Sequence, residues 1–457
     1  MSQPIPQPPG VPVLGNIFNI NQANPWASLK SLAEQHGEIF QIRVLNHSIV
    51  FVASVALADE ICDERRFRKF VGGPVVEIRH AVGDSLFSAY HHEESWGIAH
   101  RIIAPSLQPD AVARWFPEMR DTASELLALW KTTTGPVSPF VDLGRLDLET
   151  VTLILFGKRL NRLSGPVHPM IQGIEHSTNE AVLRPNRPAI LNWLVYGGKF
   201  ASAIAAMRTY AADLVKTRKE TPTQRQDLLE ALLYSKDPET NKALTDSQVL
   251  DEVVTMPIAS GTQPCLLASA LCLLLQNPKV IVKARQELDA VIGDGEFTYA
   301  HLAQLDYVQA IIRESLRLSF PAPGFNIEPI PSADKSPVLL AQGKYQIPHD
   351  QPMIIVMAGV NRDPAVFEDP LSFKPERMMG EAFDRLPPGA KKWFGSGKRE
   401  CTGKHYAWQW CTIIMAKMLR EMDFEMADPD YKLEHDGWFN VRPIDFTVNV
   451  SPREKGP

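Results

Sequence analysis

Residue types and spacing point to chemistry in the segment Phe394-Gly395-Ser396-Gly397-Lys398-Arg399-Glu400-Cys401-Thr402-Gly403. A cysteine held in a tight glycine loop can be kept as its thiolate, the form that binds a metal. Gly395, Gly397 and Gly403 permit backbone turns that present N–H groups to the sulfur. The helix expected from residue 404 onward would set its positive end at that anion. Arg399 offers a cation to a neighbouring carboxylate, and Phe394 can cover the sulfur and keep water out. An isolated buried cysteine is usually only a small hydrophobe. Here the whole F-x-x-G-x-R-x-C-x-G spacing is met, and a metal-binding thiolate is the expected reading.

With this spacing the chain resembles the cytochrome P-450 family, whose heme loop has the same pattern. The resemblance implies that Cys401 is the axial iron ligand of heme b, a thiolate that pushes electron density onto the metal. It implies contacts with the heme for Arg399, Phe394, Gly395 and Lys69. Trp96-Gly97-Ile98-Ala99-His100 is similar to the family's W-x-x-x-R/H pair facing the propionates. Glu314-Ser315-Leu316-Arg317 puts acid and base on one helix face. An isolated E-x-x-R is nearly always a solvated pair. This one precedes Pro375-Glu376-Arg377 and the cysteine loop in the family's order. The resemblance makes Glu314, Arg317 and Arg377 a buried network supporting that loop.

The resemblance covers nearly the whole chain. It is strongest to the heme domain of the self-sufficient fatty-acid hydroxylases of bacteria and fungi, with the fungal members nearest. It is carried by Gly37-Glu38-Ile39-Phe40, Cys62-Asp63-Glu64, Gly83-Asp84-Ser85-Leu86-Phe87, Asp237-Pro238-Glu239-Thr240 and the heme loop through Trp408. In those proteins a diflavin reductase is fused to the heme domain. The implied reaction is a monooxygenation, with NADPH electrons arriving through FAD and FMN of a fused or separate P-450 reductase. Residues 451–457 fall where a linker to a reductase would begin. Lys391, Lys392, Lys398, Lys404 and His405 flank the cysteine loop, where an acidic flavin domain would be steered.

The same resemblance places Phe87 above the heme and Ala322-Pro323 along the substrate pocket. The bacterial hydroxylases hold a substrate carboxylate with an Arg and a Tyr at the pocket mouth. This chain has His47 and Phe51 there, and neutral His is a poor replacement for a bidentate Arg. A hydrophobic lipid- or polyketide-like substrate of fungal secondary metabolism is therefore expected at least as much as a fatty acid.

The oxygen-side helix departs further. The family carries an Ala/Gly-Gly-x-Asp/Glu-Thr run whose acid and alcohol relay protons. Here the run is Met256-Pro257-Ile258-Ala259-Ser260-Gly261-Thr262-Gln263-Pro264-Cys265. Matching from upstream puts Thr262 at the acid and Gln263 at the alcohol. Matching back from Asn277-Pro278 puts Gly261 at the acid and Thr262 at the alcohol, and agrees better at Cys265-Leu266-Leu267. On either alignment the carboxylate is gone. Thr262, Ser260 and Gly261 are the residues left for proton delivery. Pro257 and Pro264 are each expected to bend or break the helix. The missing acid keeps an alternative open: a redox-independent isomerase or dehydratase, or a peroxide-driven peroxygenase. A heme protein that binds a ligand without turnover is the remaining reading.

The elements that must position these residues follow from patterning. The expected fold is mainly α, a helical body with a small N-terminal β-sheet region, in one heme-binding domain over 1–457. Asn24-Pro25 opens a helix that stops at Gly37. Residues 39–53 alternate as a hairpin with its loop at Leu45-Asn46-His47-Ser48. Helices are expected at 278–293, 302–318 and 404–422, with a loop over 386–403. Residues 216–226 and 236–247 are polar and expected to be exposed. The apolar run at 266–275 reads as a core helix and is short for a membrane span.

Composition narrows the classes. The chain has 457 residues, 44% hydrophobic and 22% charged, with net charge −6, an ordinary globular balance. Nothing in it suggests nucleic-acid binding. The five cysteines show no Cys-x-x-Cys pairing, which argues against a disulfide framework or a zinc site. With no signal-like or anchor-like run in residues 1–15, a cytoplasmic setting and no membrane anchor in this chain are expected.

Overall fold

The computed structural model describes residues 2–44 and 47–454. The backbone falls into two compact units. One contains Met1–Gly72, Arg313–Cys401 and Glu434–Arg442; the other contains Gly73–Ile312, Thr402–Leu433 and Pro443–Pro457.

The first unit is built on a five-stranded sheet. Its opening helix is Pro25–His36, and the Asn24 side chain accepts from Ala27 N at 3.0 Å. Gly37, at φ +83, ends it. Ile39, Phe40 and Ile42 are then buried along the Ile39–Val44 strand, whose first two residues face the core on both sides of the sheet. That strand pairs antiparallel with His47–Val52, with Val44 opposite His47. His47 and Ser48 therefore belong to the second strand and not to the turn. Leu45 and Asn46, also assigned to the turn, lie outside the described residues.

The sheet is not confined to the N-terminal sequence. His47–Val52 pairs parallel with Met353–Val356, which pairs antiparallel with Gly324–Pro329, and that strand pairs antiparallel with Phe67–Lys69. The parallel step requires a long crossover, which explains why strands distant in sequence complete one sheet.

The second unit is helical. Its centre is Thr262–Gln276, buried along nearly its whole length. Against it or beside it run Pro139–Phe156, Pro278–Val291 and Lys404–Glu421. Each Leu or Ile fully removed from water here contributes about 1.5–3 kcal/mol. By length and composition the stretch Asp246–Gln276 would suffice to cross a membrane, but 78% of its most apolar window is buried within the protein.

Three further expectations need correction. The helix expected over 302–318 is a 3-10 turn, Tyr299–Gln304, followed by an α-helix that starts at Asp306. The loop over 386–403 contains 3-10 segments at Pro388–Phe394 and Gly397–Arg399. The polar stretches are exposed except where buried anchors pin them. Arg218 donates to Asp227 at 2.9 and 2.6 Å, and Arg101 holds the buried Asp237 at 2.5 and 2.7 Å. Arg101 keeps that carboxyl well below the usual carboxylate range.

Candidate functional site: a braced cysteine loop and an interrupted helix

In the first unit the cysteine loop closes on itself: Cys401 N donates to the Phe394 carbonyl at 2.9 Å. Gly395 and Gly397 take φ of +75° and +64°, conformations that cost an L side chain strain. Gly403 does not share this role, having an ordinary φ of −85° as the cap of the Lys404–Glu421 helix. Glu64 locks the turn: it accepts Lys398 N at 2.7 Å, and a Cβ on Gly397 would run into its carboxylate. Ser396 is hydrogen-bonded to the Cys62 thiol, which burial pushes up. Cys62 and Glu64 thus brace the loop from the end of the Val55–Ile61 helix.

The same unit holds the expected ion network. Arg317 binds Glu314 bidentately, Nε and Nη2 each at 2.8 Å. Its remaining N–H groups go to the carbonyls of Asn361, Pro370 and Ser372 at 2.9, 2.6 and 3.0 Å. All five guanidinium donors are used. Glu314 also accepts Lys374 N at 2.9 Å and has Arg377 Nε at 3.4 Å. Both members of the central pair are fully buried, a situation tolerable only with such complete pairing.

Cys401 is exposed, unlike Cys265, Cys272 and Cys411. Lys69, at the end of the Phe67–Lys69 strand, is pushed down to about 7 by burial and by the positive charge of Arg399. Lys69 and Arg399 thus stand close together in the unit that carries the exposed thiol loop. The carboxylates of an iron porphyrin suit such basic side chains, and the thiol suits its metal. The loop's cations are not all available to a partner: Lys391 donates to the Asp384 carbonyl at 3.1 Å, and Lys392 lies 3.7 Å from Asp59.

The remaining pocket residues of this unit are placed as follows. His47 is exposed, whereas Phe51 is buried and stacks on Phe40 with centroids 5.1 Å apart. Ala322 is exposed and Pro323 buried, its carbonyl accepting Met357 N at 3.0 Å.

In the second unit Trp96 and His100 stack on the Ser95–Ile103 helix with ring centroids 5.2 Å apart. Phe87 is half-buried. Its neighbour Leu86 donates its N–H to Glu252 at 2.6 Å. The Glu252 carboxyl is buried and pushed up to about 8, chiefly by that burial.

The oxygen-side helix is divided. Asp246–Ser260 ends at Gly261, and Thr262–Gln276 begins immediately after. Pro257 stays inside the first helix. Pro264 falls in the first turn of the second, where its missing N–H costs no intrahelical bond; its ring would clash with the Ser260 carbonyl of a continuous helix, so the break at Gly261 is the one expected. Ala259 is exposed and Thr262 half-buried, Thr262 Oγ1 donating to the Ala259 carbonyl at 3.3 Å. Ser260 is buried and hydrogen-bonds Asp147 Oδ2 at 2.6 Å.

Asp147, Glu252, Glu64 and Cys62 had no role assigned from sequence. Cys62 and Glu64 lay in a stretch that carried the resemblance, whereas Asp147 is one of three carboxylates of the Pro139–Phe156 helix and nothing in the sequence set it apart.

The sheet, the helical unit and the braced, exposed cysteine beside two cations define a heme-thiolate protein. The chain belongs to the cytochrome P450 family, whose model matches residues 5–448, and heme is that family's cofactor. It is 37% identical to a self-sufficient cytochrome P450 monooxygenase, CYP505E3, of Phanerodontia chrysosporium, over 100% of this chain and 43% of the relative. It is 36% identical to a bifunctional cytochrome P450/NADPH–P450 reductase of Aspergillus oryzae, over 99% of this chain and 42% of the relative. A bifunctional P450/reductase of Acremonium egyptiacum, ascE, is 34% identical over 99% of this chain and 44% of its own length. The chain spans less than half the length of these relatives.

Proposed function

We propose that this chain is the heme domain of a monooxygenase that inserts one atom of dioxygen into a C–H bond of a hydrophobic organic substrate. The other atom leaves as water, and NADPH supplies two electrons through FAD and FMN of a P450 reductase, fused or separate. The observation that carries the reading is the Cys401 loop, locked by Glu64 and accompanied by the Lys69–Arg399 pair. The printed names of the fused relatives support the reductase and the reaction class.

When bound, the heme supplies the iron that activates dioxygen. The protein's part is to hold and tune it. Cys401 would be its ligand, with Phe394 and Gly395 shaping the loop around the sulfur. Arg399 and Lys69, with Trp96 and His100, would receive its carboxylates. Phe87, Ala322, Pro323, His47 and Phe51 would line or guard the substrate pocket. Without an Arg at position 47 to grip a substrate's carboxylate, a neutral lipid- or polyketide-like substrate suits the pocket as well as a fatty acid does. Thr262, Ser260 and Gly261 would serve proton delivery. The chain acts as one heme-binding domain in a reducing, cytoplasmic setting, which the five free cysteines support.

One observation favours a second reading. Residues 256–265 contain no carboxylate, which suits a redox-independent isomerase or dehydratase, or a peroxygenase. The deciding experiment is a ferrous–CO difference spectrum with NADPH and a diflavin reductase as sole reductant, beside a dithionite control. A thiolate-type band in both samples is the expected result. A band with dithionite alone, persisting as hydrophobic substrates are added, overturns the monooxygenase in favour of the second reading.

A further inference from the structure

We propose that Asp147 is the acid of the interrupted helix, supplied from a neighbouring helix in place of the one missing from residues 256–265, and that it holds its proton against Ser260. This rests on the monooxygenase reading above. Asp147 acts through Ser260 and is a positioning residue in that reaction.

The geometry carries the case. Ser260 is the last residue of Asp246–Ser260, directly before the break at Gly261. Its Oγ lies 2.6 Å from Asp147 Oδ2 and 3.2 Å from the Pro257 carbonyl. Asp147 stands within Pro139–Phe156 and is only 4% exposed. Its second oxygen, Oδ1, is also buried and has no hydrogen-bond partner among the described residues. A carboxylate anion with one oxygen dry and unpaired would be costly, whereas a neutral carboxyl needs only one strong partner.

The surroundings agree. Tyr406 and Cys411 face Asp147 from the Lys404–Glu421 helix, and burial and the nearby carboxyl push both up, so both stay neutral. Glu149, on Asp147's own helix, is engaged elsewhere, accepting Leu160 N and Arg162 N at 3.1 and 3.3 Å. Burial pushes Asp147 up to about 7, against the pull of the Ser260 hydrogen bond. A group titrating there can both hold and release a proton at working pH.

The proton balance is simple. Asp147 Oδ2–H donates to Ser260 Oγ, and the Ser260 hydroxyl donates onward, at rest to the Pro257 carbonyl. When Ser260 gives its proton to water on the Ala259–Thr262 side of the bend, it takes the Asp147 proton. The Asp147 carboxylate then regains a proton of bulk water through the Ser260 hydroxyl, its one hydrogen-bond partner among the described residues.

The test compares wild type with D147N, D147E and S260A. Infrared titration of the heme-loaded protein should show a carboxylic-acid carbonyl band disappearing near neutral pH. That band should be absent in D147N and shifted in S260A. In the heme-loaded protein with NADPH and reductase, product formed per NADPH should fall in D147N by about a hundredfold, the lower end for a positioned acid, with hydrogen peroxide released instead. D147E should restore part of the coupling, and the wild-type loss of rate above neutral pH should vanish in D147N. The CO band verifies folding of each variant. No titrating band, or unchanged coupling and pH profile in folded D147N, overturns the proposal. If wild type takes no electrons from the reductase, the monooxygenase reading fails separately. The infrared arm then decides alone: a band that shifts in S260A keeps the proton at Asp147, and its absence overturns it.

Discussion

Glu64 and Gly397 are mutually dependent: Glu64 accepts Lys398 N at 2.7 Å only because Gly397, at φ +64, leaves no Cβ in the way of its carboxylate. Gly395, at φ +75, has open space where its Cβ would go. The two positions separate backbone strain from steric conflict. G395A should cost about 1 kcal/mol, the strain alone. G397A should cost at least about 1 kcal/mol more, since it also displaces Glu64. Urea unfolding of both variants checks this, and equal losses would refute the Glu64 lock.

The buried Glu314–Arg317 pair should tolerate no truncation. E314Q or R317M leaves an uncompensated buried charge or a set of orphaned carbonyls, at a cost of about 3–5 kcal/mol. R377A, 3.4 Å from Glu314 and partly solvated, should cost less than half as much. Denaturant midpoints at constant m-value give the comparison.

The prolines of the divided helix should behave differently. P264A sits in a first turn and should change stability by less than about 0.5 kcal/mol. P257A restores an N–H inside a helix and should raise stability by about 1–2 kcal/mol, the helix-interior penalty less the chain entropy that proline saves. Thermal unfolding of the two variants tests the assignment. Matching effects would mean that Pro264 also interrupts a helix.

Stability should fall between pH 4 and 8. Burial pushes Asp147 and Glu252 up to about 7 and about 8, so the native state holds protons there that the unfolded chain has released near pH 4. Stability is then lost as pH rises, at up to about 1.4 kcal/mol per pH unit for each group, and levels off above the native values. D147N and E252Q should each flatten part of this slope. A slope unchanged in both variants would show that these carboxyls ionise normally.

Much of this was legible in sequence because local rules set it. The Asn24 cap, the stop at Gly37, the E-x-x-R pair and the cysteine loop each follow from neighbours a few residues away. What was not legible came from contacts across sequence. The parallel pairing of His47–Val52 with Met353–Val356 depends on the whole crossover. Glu64 bracing Lys398 and Asp147 reaching Ser260 join residues with no shared motif. The break near Pro264 was legible from the proline itself, but its position at Gly261, and the survival of Pro257 inside the first helix, were not.

That break has an electrostatic consequence. A continuous helix over residues 246–276 would keep its opposite partial charges at far ends, separated by apolar turns. Divided at Gly261, it brings the negative end of one helix and the positive end of the next to the same place. The backbone itself then supplies polarity in the middle of the most apolar stretch of the chain, at the position where the side chains have lost their charge.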